Sequence, residues 1–293
     1  RSCKRTLCLR QSRRMAASRV LLLAGLLVKV NSYAPYYEER ISCKNPDGKN
    51  VDWFIAYKLP KGSDRDGNSF TPVGSELAYV DSETVGSGRW TLLKQGVDAE
   101  EGNPISLTLA PILGRKKKMV AYALYNDQPP PEFRGTNKGH AKAHHLRVQA
   151  AHVYQRYLPP WLRSEQFRHT ELALLLSRKV IKNARKPRID FFKSKGGKRF
   201  VAIAKPPYWT KDIYKHEVVR HAGDSIAVQS WRRGTGGPQD KDCTGFHGVT
   251  DVDTINLRFA QGQVVEFNAA EDHSKWDVAL QKGFFCFSSL NRM

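Results

Sequence analysis

Cysteine is scarce in this chain, with five among 293 residues, and two of the five, Cys3 and Cys8, fall within the first fourteen positions. So few cysteines exclude a small scaffold built on disulfides. No C-x-x-C or H-E-x-x-H spacing occurs, and His144, His145 and His152 form a loose group rather than a ligand set. Neither a structural nor a catalytic metal is therefore expected, and no cofactor. Long apolar runs are missing too. The one stretch that approaches such a run, Val20 to Val28, is too short to cross a bilayer, so no membrane anchor is expected. Acidic residues are few, 28 Asp and Glu against 48 Lys and Arg, which gives a formal charge of +20. No N-x-S/T sequon occurs, which leaves glycan-dependent sorting without support.

What is present begins with a leader. Residues 1–14 carry several arginines and no acid, Met15 opens a short basic region ahead of the apolar run, and Ser32 and Ala34 offer a cleavage site. Residues 1–34 are accordingly expected to be leader and secretory signal peptide, with Met15 the true start. They contain eight Lys or Arg and no acid, so residues 35–293 keep forty bases against 28 acids, a formal charge of +12. A secreted protein this basic suits a polyanion such as DNA. A histone-like tail is excluded, because the lysines are dispersed and aromatic residues make up 10% of the chain. Residues 35–293 suffice for one large core or two fused sub-domains. Past the leader Cys43, Cys243 and Cys286 remain, an odd number, so at least one thiol lacks a partner within the chain. The oligomeric state is left open, a homodimer included.

The centre of interest is Glu271-Asp272-His273-Ser274-Lys275-Trp276, which reads locally as a strand. In a strand His273 and Lys275 share a face. An ammonium there is a fixed positive charge for a phosphate, and an imidazole can attack phosphorus or carry a proton near neutral pH. One H-x-K pair is a weak signal, since a solvated surface strand produces it by chance. A second pair, His140 and Lys142, stands 133 residues earlier and suggests two half-sites.

Longer stretches carry a resemblance to the deoxyribonuclease II family. Ala270 to Trp276 is similar to that family's C-terminal signature, and Arg134 to Lys142 to its G-H-T-K-G stretch. Cys43 to Gly48, Val51 to Phe54 and Tyr57 to Pro60 look like its mature N-terminus, and Tyr125 to Pro130 like its Y-N-D-Q-P-P segment. Ser194 to Lys198, Asp212 to Tyr214 and Ala227 to Trp231 resemble later parts. The resemblance implies a mixed α/β fold of the phospholipase D kind, in which two similar halves, each a sheet flanked by helices, give one histidine-lysine pair apiece to a single cleft. The halves would span about 35–150 and 151–293. It further implies an acid endodeoxyribonuclease, a hydrolase of DNA found in lysosomes or secreted.

Under that resemblance, metal-free cleavage needs a nucleophile, an acid for the leaving oxygen and cations for the non-bridging oxygens. His140 would attack phosphorus, protonated His273 would supply the 5′ oxygen with its proton, and water would release a 3′-phosphate end. The opposite assignment of the two imidazoles stays open. Lys142 and Lys275 would hold the phosphate, while Asp272, also counted with the substrate-binding residues, either orients an imidazole or serves as a turn residue. Trp276 is expected to pack beneath the site.

The chain also departs from the family pattern. From Lys142 it passes through Ala143 to Arg147 almost directly to His152 to Pro159, as though a block of sheet were missing. Exon skipping, a faulty gene model and true loss all produce such a gap. The resemblance implies that Cys43 loses its mate with that block, and that Cys286 is unpaired because Asp277 stands where many relatives have cysteine. The alternative function this motivates is a secreted, basic DNA-binding protein without turnover.

Periodicity gives strands at Val51–Tyr57, Leu77–Asp81, Trp90–Lys94, Met119–Tyr125, Arg199–Lys205, Ser225–Arg232, Val249–Phe259 and Val264–Phe267, and a helix at Lys211–His221. Leu172, Leu175, Leu176 and Val180 place a core-facing helix within Leu162–Lys186. Arg115 to Lys118 is a charge run that serves as a solvated face or a DNA contact.

Overall fold

The computed structural model describes residues 42–62, 64–113, 120–125, 143–148, 153–181, 183–232, 242 and 245–292. The chain is a mixed α/β protein of several small sheets and short helices. Its strands are β1 Cys43–Lys44, β2 Asn50–Val51, β3 Phe54–Lys58, β4 Leu77–Asp81, β5 Thr91–Leu92, β6 Tyr122–Tyr125, β7 Val153–Tyr157 and β8 Arg188–Lys193. They continue with β9 Arg199–Ala204, β10 Ile226–Gln229, β11 Val249–Asp251, β12 Thr254–Arg258, β13 Val264–Asn268, β14 Trp276–Ala279 and β15 Phe285–Phe287. The α-helices are α1 Pro104–Leu113, α2 Ala143–Val148, α3 Glu171–Leu176 and α4 Val219–Ala222. Contacts divide the chain into two compact units, one holding Asn45–Pro104 and Lys211–Met293, the other Ile105–Thr210.

In the first unit, β3, β4 and β5 form an antiparallel sheet in that order, and β12 and β13 form a hairpin. A four-stranded sheet runs β11-β10-β14-β15, with β10 parallel to β11 and antiparallel to β14. Every residue of β10 is buried, as an interior strand covered on both faces requires. β12 instead alternates, with Ile255 and Leu257 inward and Thr254, Asn256 and Arg258 outward, because one of its faces meets water. The core gathers Tyr57, Trp90, Phe259, Phe267 and Trp276, with the rings of Tyr57 and Phe267 stacked at 6.0 Å. Tyr214 donates from its hydroxyl to the Leu290 carbonyl, and buried Arg292 pairs with Asp212 and Asp251, which fixes the last residues onto this unit.

In the second unit β6 pairs with β7, and Ala121, Ala123, Leu146, Leu162, Leu172, Leu175 and Leu176 form the core. β8 and β9 make a separate antiparallel hairpin.

Three expectations are corrected here. Within Leu162–Lys186 only Glu171–Leu176 is α-helical, capped by the Thr170 hydroxyl, which accepts from the Ala173 amide. Arg178 takes a left-handed conformation at φ 59° just past Ser177, which ends the helix, so Val180 is exposed while the three leucines are buried. Likewise residues 272–275 are not a strand: the 3-10 turn Ala269–Glu271 runs into an irregular stretch, and β14 begins only at Trp276. The turn is held by a capping box between Asn268 and Glu271, and just beyond it the Ser274 amide donates to the Asp272 carboxylate rather than to a neighbouring strand. The expected helix Lys211–His221 is a π-helical turn, Tyr214–Val218, followed by α4.

Candidate active site

The site is built where β10 and β14 end side by side. Their register pairs Gln229 with Trp276, so Ser230 and Trp231 beyond one strand run on beside Lys275, Ser274 and His273 ahead of the other. Asp272 is turned inward and buried. It accepts from the Tyr57 hydroxyl at 2.7 Å, from the Ser274 amide at 2.9 Å and from the Ser274 hydroxyl. Gln229, fully buried, donates from Nε2 to the carbonyls of Ala269 and Asp272 at 3.0 Å each. These contacts fix the backbone on both sides of His273, and with Asp272 and Ser274 drawn inward His273 is left exposed.

The imidazole of His273 lies against the indole of Trp231, ring centroids 3.5 Å apart and planes 33° from parallel. Lys275 reaches back so that Nζ donates to the His273 carbonyl at 2.6 Å. The His273 pKa is lowered: partial burial disfavours the charged ring, the Lys275 ammonium adds repulsion, and the Asp272 carboxylate opposes both. Histidine and lysine thus share one small surface, although by a tight turn rather than by strand alternation. Asp272 acts on the imidazole through its charge while its oxygens serve the turn. Trp276 is buried at 2% exposure and packs in the core below.

His140 and Lys142 lie outside the described residues, as do Arg115 to Lys118 and the side chains of His144, His145 and His152. Among the described residues, no three of His, Cys, Asp and Glu gather closely enough to hold a metal ion, and no helix is long and apolar enough to cross a membrane.

Sequence reasoning did not single out Trp231, Tyr57 or Gln229 as site residues. The signal that could have found Trp231 is its place two residues beyond a continuous apolar strand, but which strand lies beside that end is decided by pairing alone.

An exposed imidazole next to an ammonium, on a mixed α/β frame with a strongly basic sequence, equips a protein for chemistry on phosphate esters. The family model for Deoxyribonuclease II matches the chain in two stretches, residues 42–150 and 143–293. The chain is 28% identical to mouse deoxyribonuclease-2-alpha over 333 positions, covering 95% of this chain and 90% of the relative. It is 26% identical to cell-death-related nuclease 7 of Caenorhabditis elegans, covering 86% and 79%, and 23% identical to rat deoxyribonuclease-2-beta, covering 86% and 83%. The chain belongs to the deoxyribonuclease II family, a family of hydrolases.

Proposed function

We propose that this chain is an acid endodeoxyribonuclease of the secretory pathway, lysosomal or secreted, that hydrolyses DNA without a metal and leaves 3′-phosphate ends. The observation that carries this reading is the family match across both stretches that hold an H-x-K pair. His140 attacks phosphorus to form a phosphohistidine, His273 protonates the departing 5′ oxygen, and Lys142 and Lys275 neutralise the phosphate. Neutral His273 then takes a proton from the water that attacks the phosphohistidine, whose bond to phosphorus breaks. The reading includes two similar halves around one cleft, as in the phospholipase D superfamily. Relatives named as nucleases lend nothing to the alternative of a DNA-binding protein without turnover. Purified protein should nick plasmid DNA at acidic pH in the presence of chelator; DNA retained without nicking, or nicking that requires added magnesium, overturns the proposal.

The lowered His273 pKa sets an expectation for the pH profile. As the general acid, His273 must be protonated, so cleavage should decline as pH rises through a point below the ordinary histidine value of 6.5. Lys275→Met removes one cause of the lowering, so the residual activity should show that alkaline limb displaced to higher pH. If the acid limb moves instead, His273 is the nucleophile and the two imidazoles exchange roles.

A block absent after Lys142 also belongs to this reading. The family match breaks into overlapping stretches at residues 143–150, and the alignment with the mouse enzyme runs to 333 positions, more than this 293-residue chain can fill without gaps. A transcript that reads from Lys142 straight into Ala143 is expected; one that carries further codons there would remove the gap.

A further inference from the structure

Trp231 belongs to neither hydrophobic core, unlike Trp90 and Trp276, which lie in the core of the first unit. Its half-buried indole stacks on the imidazole of His273, and the chain on both sides of each residue is held independently of that contact. Before Trp231 the Ser230 hydroxyl accepts from the Arg292 amide at 3.2 Å. After it the Arg232 guanidinium donates to the Val252 carbonyl at 3.2 Å and to Asp253 at 3.3 Å. Around His273, Gln229 holds the Asp272 carbonyl, while Tyr57 and the Ser274 amide are bonded to the Asp272 carboxylate. Two anchored segments thus set the rings against each other.

A histidine that moves protons commonly has its ring aimed by a carboxylate or carbonyl bonded to one nitrogen. Among the described residues no hydrogen bond reaches either ring nitrogen of His273: the Asp272 oxygens face Tyr57 and Ser274, and Lys275 bonds the His273 carbonyl. On an exposed turn such a ring would hop between rotamers. The indole restricts that rotation and uses neither nitrogen. Its face also carries the negative side of the aromatic quadrupole, which attracts a cation lying over it and so favours imidazolium over imidazole. Beyond partial burial, the charged groups acting on the ring are Lys275, which opposes protonation, and Asp272, which favours it. Of the other charges nearby, Arg232 is turned to Asp251 and Asp253, and Glu271 is bridged to Arg65 at 2.8 Å. We propose that Trp231 is the positioning residue for His273, holding the imidazole in one orientation and favouring its protonated form. This rests on the reading of His273 as a general acid, and it adds the device that keeps the ring charged beside Lys275.

The test follows the His273 ring in the full chain by proton NMR, its signal identified by its loss in His273→Ala, alongside plasmid nicking across pH. Trp231→Leu keeps apolar cover over the imidazole but removes the aromatic face. It should lower the titration midpoint of His273 by about half a pH unit and move the alkaline limb of cleavage down with it, opposite in direction to Lys275→Met. Maximal turnover should fall about ten-fold with KM within about two-fold, since the ring is misaimed while the phosphate contacts remain. Trp231→Phe, which restores an aromatic face, should bring midpoint and turnover most of the way back. In the unaltered chain, tryptophan emission should drop as pH falls through the His273 midpoint, because a protonated imidazole in contact with an indole quenches it. That step should be missing in His273→Ala. A midpoint unchanged or raised in Trp231→Leu, or no emission step at the His273 midpoint in the unaltered chain, overturns the proposal. If midpoint and emission behave as expected in a chain that never nicks DNA, the nuclease reading falls and the hold of Trp231 on His273 stands.

Discussion

His273→Ala is expected to abolish acid cleavage, a loss of about a hundred-fold or more, while DNA affinity stays within about two-fold of the parent. Affinity for DNA comes from many lysine and arginine contacts with phosphates, and one imidazole with a lowered pKa adds little to that sum. Turnover needs that imidazole in a role its neighbours cannot fill. Lys275 holds its proton too tightly to release it to a leaving oxygen near pH 5, and its ammonium is engaged with the His273 carbonyl. The Ser274 hydroxyl is bonded to Asp272 on the inner side of the turn. Lys275→Ala should lose both affinity and turnover, so the two variants differ in the ratio of the losses. Plasmid nicking at acidic pH, set beside salt-dependent binding, reads both quantities; a His273→Ala protein that nicks at the parental rate refutes the assignment.

Asp277→Val is expected to stabilise the fold at neutral pH, raising the melting temperature by about 5 °C or more. Asp277 is fully buried in β14, between Val228 of β10 and Cys286 of β15, and no N–H or O–H among the described residues donates to its carboxyl oxygens. Burial drives its pKa well above the carboxylate range, against a smaller opposing effect of the hydrogen bond from the Cys286 thiol. The Cys286 thiol opposite is raised in turn, by its own burial and then by Asp277. Because the folded pKa is raised, the unfolded chain releases this proton from about pH 3.8 upward while the folded chain keeps it, so the penalty is absent below that value and grows as pH rises toward the folded pKa. The gain from valine should therefore be large at pH 7 and small near pH 4, measured by thermal unfolding at the two pH values. An equal gain at both would show that the carboxyl's ionisation is not the cause. The same linkage makes the parent chain relatively more stable in acid, where the proposed reaction runs.

This pair also shows what a family resemblance can and cannot reach. The resemblance implies a cysteine in many relatives at the position of Asp277, and the structure sets Asp277 directly opposite Cys286 in the ladder. What the residues could not give was that this position is an interior strand of a four-stranded sheet. The expected strand at Leu77–Asp81 coincides with β4, a short apolar run between turns. The expected strand Val249–Phe259 is two, broken at Val252 and Asp253, because β11 pairs with β10 and β12 turns to pair with β13. β14 and β15 were not expected as strands, since Trp276 to Ala279 mixes a buried acid with apolar residues, a pattern that only burial between neighbours explains.

The sequence by itself determined the basic charge, the H-x-K at His273 and Lys275, and enough ordered motifs to point to the deoxyribonuclease II family, because these depend on residue identity and spacing along the chain. The tertiary structure decided how His273 is held. Its exposure, its stacking on Trp231 and its lowered pKa follow from a capping box, from Tyr57 and Gln229 bonding across 215 and 40 residues, and from the register of β10 with β14. Local pattern carries no record of such contacts, since strand alternation and a tight turn both leave residues 273 and 275 close together, and only the hydrogen bonds made by distant side chains select between them.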